Sequence, residues 1–253
     1  DKEQLDEVVK AFEAAGLKLH AYVGDLADMV STEAVVQQIM AEHGVVDVLI
    51  NNAGRSIRRA IENSFDRFHD FERTMQLNYF GALKVSMGVL PKMLEQKHGH
   101  IINISSIGVL TNAPRFSAYV ASKAALDAWV RCASSEFADR GISFTTINMP
   151  LVKTPMIAPT KIYDQVPTLT PEEAAALVCN AIIHKPVRVA TRLGIFGQTL
   201  YAVMPRVAQI IMNTTFRMFP DSSTAKAPKA GLLPDLPSAD QVAFQQFMRG
   251  IHF

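Results

Sequence analysis

The chain has 253 residues, 49% apolar and 19% charged, which is enough to bury one substantial core and excludes a miniprotein or a disordered tail. Lys and Arg number 25 against 24 Asp and Glu, so the net charge of +1 sets up no bulk field toward a phosphate backbone, and nucleic acid is not an expected partner. The two cysteines, Cys132 and Cys179, give no disulfide framework and fit a reducing cytoplasm. No uninterrupted apolar run reaches the roughly 18 residues of a spanning helix, which leaves attachment at a membrane surface open.

The opening DKEQLDEVVKAFEAAG reads as an amphipathic helix carrying Leu5, Val8, Val9 and Phe12 on one side, not as a signal or transit peptide. Gly16 marks its stop. Residues 17–23, LKLHAYV, alternate apolar and polar and predict a strand that ends at Gly24 and Asp25. A helix is expected from a cap near Ser31, Thr32 and Glu33. Residues 45–50, VVDVLI, form a continuous apolar run that suits a buried parallel strand, and Asn51, Asn52, Ala53 and Gly54 form the loop that follows it. The pattern continues with helical stretches over 64–97, a strand at 100–105, a helix over 115–139 and a strand at 142–148. A helix over 171–184 and a strand at 187–191 complete it.

This alternation predicts an α/β fold, a doubly wound Rossmann-like parallel sheet with helices on both faces and ligands outside the carboxyl ends of the strands. Site candidates are therefore the residues just after each strand: Asp25 and Leu26, residues 51–54, Ser105 and Ser106, and residues 152–154. Composition shifts after Thr191, dividing the chain into a catalytic domain at 1–191 and an extension at 192–253. That extension holds an apolar helical stretch over 194–220 that Pro205 kinks or divides, a Pro, Ala and Ser linker, and a short helix over 239–249. Cys132, beside Trp129 on a helix, is expected in the core. His98 and His100 have no third ligand near in sequence, so no metal site is expected.

The sharpest local feature is Tyr119 with Lys123 four residues on, which share a helix face. An adjacent ammonium is expected to pull the phenol down from its usual pKa toward the range of a general acid or base. Alone, the pair also fits a solvated helix face. Ser106 lies 13 residues before Tyr119 at a predicted strand end, and that spacing favours it over Ser105. Asn78 and Gly81 lie within the long helical stretch between the loop at 51–54 and Ser106.

In this order and spacing, Asp25-Leu26, Asn51-Asn52-Ala53-Gly54, Asn78-Tyr-Phe-Gly81, Ser106, Tyr119-Val-Ala-Ser-Lys123 and Val152-Lys-Thr154 resemble the short-chain dehydrogenase/reductase family over residues 1 to about 190. The resemblance implies that Tyr119 protonates a carbonyl oxygen, that Lys123 lowers its pKa and bonds the nicotinamide ribose, and that Ser106 holds the carbonyl oxygen. It implies that Asn78 anchors a water linking Lys123 to solvent. Asp25 and Leu26 would frame the adenine, Asn52, Ala53 and Gly54 would let backbone approach the cofactor, and Val152 and Thr154 would bind the carboxamide. A homo-oligomer is implied as well.

Two features depart from the family pattern. The glycine-rich turn after a first strand is absent, so the residues are expected to be an N-terminally incomplete domain lacking a strand–helix–strand unit, with an apolar sheet edge exposed and residues 17–23 set apart. The position that decides NAD against NADP is then unreadable. Met149 and Pro150 also stand where the family carries Pro-Gly, so that turn must run differently. The run from Met149 to Met156, the apolar extension and the closing FMRGIHF are similar to the reductase domain of bacterial fatty acyl-CoA reductases. That narrower resemblance implies an apolar carbonyl or acyl-thioester substrate and NADPH rather than NADH. A general alcohol or ketone reductase and a catalytically idle scaffold domain are the alternatives. The 194–220 stretch is open to three readings: a buried terminal helix or dimer contact, an acyl-chain lid, or a membrane-surface helix.

Overall fold

The computed structural model describes residues 2–155, 157 and 167–218. Four parallel strands, β1 (Val48–Asn51), β2 (Gly99–Ser106), β3 (Ile142–Met149) and β4 (Arg188–Ala190), form one sheet in the order β1-β2-β3-β4. Each crossover is helical. α3 (His69–Met75), a π-helical turn (Gln76–Gly81) and α4 (Ala82–Gln96) lead to β2; α5 (Ile107–Thr111) and α6 (Ser117–Glu136) lead to β3; α7 (Pro171–His184) leads to β4.

Alternation along β2 explains why helices cover both faces. Ile101 points into a cluster with Val89, Leu90 and Met93 of α4, Val130 and Ala133 of α6, and Phe144. Its neighbour Ile102 points the other way, with Ile147 and Ala181 of α7. β2 buries polar residues as well, and these are paired: His100 with Thr145, and Asn103 with Asn51. α7 begins with a capping box in which Thr170 and Glu173 satisfy one another's backbone amides, with Pro171 in the first turn.

The amino-terminal part differs from its sequence expectation. α1 (Lys2–Ala14) forms but buries no residue, and residues 17–23 have no ladder partner among the described residues, so they are not a strand. A strand's backbone needs a neighbour to pair with, and β1 has only β2 as its partner among the described residues, with Ile50 39% exposed. α2 (Met29–His43) starts three residues earlier than the Ser31 cap predicts. Asp28 accepts from the Val30 amide, which releases the Ser31 hydroxyl to accept from the Asp25 amide.

Beyond β4, the apolar stretch forms two helices, α8 (Arg192–Val203) and α9 (Pro205–Met218), divided at Pro205 as expected. α8 packs on α5. The predicted helix over 239–249 lies outside the described residues. Cys132 is exposed and not in the core, because it sits on the outer side of α6 while Ala133 turns inward. Among the described residues no helix is long and apolar enough to cross a membrane.

Candidate active site

The carboxyl ends of β1, β2 and β3 bring three of the predicted groups to one edge of the sheet. β2 ends at Ser106, which caps α5 by accepting the Gly108 amide at 3.1 Å. α6 then carries Tyr119 and Lys123 back under the sheet edge, where the Ser106 hydroxyl is near enough to the Tyr119 phenol to favour its ionised form. Ser105, one residue earlier, faces the opposite way and is buried.

The Lys123 ammonium donates to the carbonyl of Ile104 at 2.7 Å and is almost fully buried. Burial lowers its pKa to about 8, against a smaller upward pull from Asp127 one helical turn on. The expected lowering of the tyrosine does not occur here. Burial pushes the Tyr119 phenol above its ordinary value, the Ser106 bond opposes this, and the Asp127 charge adds to it. Sharing a helix face with a lysine is not enough when that ammonium is turned to a backbone carbonyl and the phenol is desolvated.

Asn78 lies inside the π-helical turn and is fully buried. Its Oδ1 accepts the Arg55 amide at 2.7 Å, and its Nδ2 donates to the Arg55 carbonyl at 2.8 Å and to Ser122 Oγ at 2.9 Å. It clamps the loop after β1 onto α6. Gly54 lies in that loop, and a Cβ there would stand 3.3 Å from both Asn78 Oδ1 and Lys123 Nζ, so glycine lets the backbone come down onto both groups. Of the paired asparagines, Asn51 is structural and bonds Ser86 and Asn103, while Asn52 and Ala53 are exposed. Asp25 Oδ1 accepts the Ala27 amide at 2.9 Å, and the Leu26 carbonyl lies against Gly81, where any side chain would collide with it. Val152 bridges Leu169, and the Thr154 carbonyl accepts the Ile157 amide at 3.1 Å, placing both residues in the loop beyond β3.

A cleft of about 430 Å³ is lined by Ala60, Ile61, Ala113, Pro114, Phe216 and Val120, the residue that follows Tyr119 on α6. Its rim is held by Arg115, in left-handed backbone geometry at φ 68°, which donates to the Phe216 carbonyl at 2.9 Å and stacks on that ring at 3.9 Å. The Arg59 amide donates to the Arg115 carbonyl at 2.7 Å, and Arg59 pairs with buried Asp70 at 3.4 Å. Burial alone would raise the Asp70 pKa, but the Arg67 hydrogen bond and the Arg73 charge bring it below the usual carboxylate range.

Sequence reasoning missed Ser122, Asp127, Arg115 and the π turn. Ser122 and Asp127 carry a signal, since both are polar residues on the face that Tyr119, Lys123 and Leu126 define at helical spacing. It also missed that His20, Glu42 and His43, all exposed, bring ligand atoms within 4.8 Å of one another, with Tyr22 donating to Glu42 at 2.6 Å and lying 2.7 Å from His43. His100, in contrast, is buried against Thr145, and burial followed by the Lys185 charge lowers its pKa to about 4.

Residues 1–163 match the short chain dehydrogenase family, and the chain belongs to it. It is 58% identical over 224 residues to a fatty acyl-CoA reductase of Acinetobacter baylyi, covering 88% of this chain and 76% of that one. It is 45% identical over 213 residues to a fatty acyl-CoA reductase of Mycobacterium tuberculosis, covering 84% and 72%. A short-chain dehydrogenase from Streptomyces avermitilis superposes with a TM-score of 0.70 at 26% identity, covering 86% of each chain. The chain is an oxidoreductase of a family that binds a nicotinamide dinucleotide, and its fold is that family's parallel sheet flanked by helices.

Proposed function

We propose that the chain reduces the carbonyl of a long-chain acyl thioester or fatty aldehyde, using NADPH. The observation that carries this reading is Ser106 at the end of β2 with the Tyr119 phenol near it on α6, together with an apolar cleft of about 430 Å³ lined by Val120, the residue after Tyr119. The identity to two fatty acyl-CoA reductases supports the substrate class, and the reductive direction supports NADPH.

The residues present suit a dinucleotide. A Cβ at Gly54 would fill space next to Lys123 and Asn78, and Asn52 and Ala53 present exposed surface beside it. Asp25 and Leu26 would hold the adenine end, Asn52, Ala53 and Gly54 the middle, Lys123 the nicotinamide ribose, and Val152 and Thr154 the carboxamide. Bound there, the cofactor supplies the hydride that the carbonyl carbon accepts.

The protein's own share is to bind, orient and protonate. A carbonyl oxygen placed between the Ser106 and Tyr119 hydroxyls would meet two donors where negative charge develops. The phenol, held protonated by burial, is poised as the acid that delivers a proton to that oxygen. Lys123, with a pKa near 8, can restore it, and Asn78 would anchor a water connecting Lys123 to solvent. The chain acts as a homo-oligomer in the cytoplasm, with the long helices α4 and α6 as the packing surfaces.

The test follows NADPH and NADH oxidation with palmitoyl-CoA, hexadecanal and cyclohexanone. The reading expects kcat/KM to favour the long-chain substrates and NADPH. Preferential turnover of cyclohexanone would instead make the chain a general ketone reductase. Failure of the folded chain to bind either dinucleotide would favour the idle-scaffold alternative.

A further inference from the structure

The charge of this chain is unevenly distributed. Residues 174–220 contain no Asp or Glu, yet carry Lys185, Arg188, Arg192, Arg206 and Arg217, while the remainder is net acidic. All five cations are exposed. Within this stretch, α8 turns its buried Gly194 and half-buried Leu193 and Leu200 toward the body of the protein. Its other side presents Ile195, Phe196 and Val203, the last two 61% and 73% exposed. α9 likewise buries Ala208 and presents Val207, Ile210 and Ile211 outward, with Ile210 66% exposed and Arg206 and Arg217 alongside.

We propose that the outer face of α8 and α9 docks on the surface of an anionic lipid bilayer. Large apolar side chains beside arginines, with no carboxylate in the segment, make the charge and hydrophobic pattern of a helix that lies in a bilayer interface. A second copy of the chain fits worse. A two-fold contact through this face would bring the same cations onto themselves with no acid to meet them. The Arg115–Phe216 contact ties the end of α9 to the rim of the cleft, so a docked face sets the cleft mouth at the lipid surface. The inference stands on exposure and charge and does not depend on which substrate the cleft takes.

The test is flotation of the 253-residue chain with vesicles of pure phosphatidylcholine and with vesicles of equal phosphatidylcholine and phosphatidylglycerol. Binding is expected only to the phosphatidylglycerol vesicles and should weaken as salt rises. The double variant Phe196→Asp, Ile210→Asp should lose binding by about tenfold or more, and Arg206→Glu with Arg217→Glu should do the same while keeping the apolar face. The second variant decides the matter if the first does not fold by circular dichroism. Equal binding to both vesicle types, no binding to either, or binding unchanged in the charge-reversed variant would overturn the proposal. So would sedimentation velocity showing that the Asp variant splits an oligomer, because a second copy would then cover the face.

Discussion

α1 reads from sequence as an amphipathic helix and α6 as a helix with Tyr119 and Lys123 on one face, yet they end in opposite circumstances. α6 buries Ala118, Ser122, Lys123, Leu126, Asp127, Val130 and Ala133 against the sheet, whereas α1 buries nothing. Periodicity tells which side of a helix could be covered, but only a packed partner makes that side a core. α6 has β2, β3 and α3 beneath it, and Ser122, Lys123 and Asp127 lie on its inner face. α1 leads into residues 17–23, which have no ladder partner among the described residues.

The contrast can be broken or sharpened by substitution. The largest effect is expected at Ile101→Ala, at the sheet centre beneath α4 and α6, which should cost about 2–5 kcal/mol of stability in urea unfolding. Next, Asn78→Ala strands the Arg55 backbone amide and carbonyl, and a loss of about 1–3 kcal/mol is expected. An unchanged midpoint there would mean that Asn78 does not clamp the loop.

A third comparison uses pH. Lys123 has a folded pKa of about 8 against an ordinary 10.5, so between these values the unfolded chain binds a proton that the folded chain has released. Stability contributed by this group therefore rises with pH across the window, and below it the folded state bears the full cost of the buried charge. Above its ordinary value Tyr119 acts in the opposite sense, since the unfolded phenol ionises first. Urea midpoints at mildly and strongly alkaline pH should show this rise in the wild type and a smaller one in Lys123→Met; equal slopes would contradict the assignment. The smallest effect is expected at Phe12→Ala on α1, within about 0.5 kcal/mol of wild type.

The regular parts of this fold were legible because their signals are local and agree with one another. VVDVLI is an apolar run closed by Asn51, and HIINIS and ISFTTIN place isoleucines and Phe144 ahead of small polar residues. The region of the site was legible for the same reason: in a parallel sheet the residues after each strand share one edge. What could not be read depends on contacts distant in sequence. Nothing near Asn78 announces a π turn, and the clamp exists only because Arg55 and Ser122 arrive from elsewhere. The direction of the Tyr119 shift depends on burial that the Tyr-Lys spacing does not encode. Residues 17–23 show the converse failure, since strand alternation was present but a pairing neighbour was not.

Tyr119 is the proposed proton donor for reduction of an apolar carbonyl. The most direct test measures NADPH binding by fluorescence and NADPH oxidation with palmitoyl-CoA for the wild type and Tyr119→Phe. The predicted result is comparable binding by both proteins and turnover lower by about 10²–10⁴ in the variant. A variant that binds NADPH and reduces palmitoyl-CoA as fast as the wild type would contradict the account.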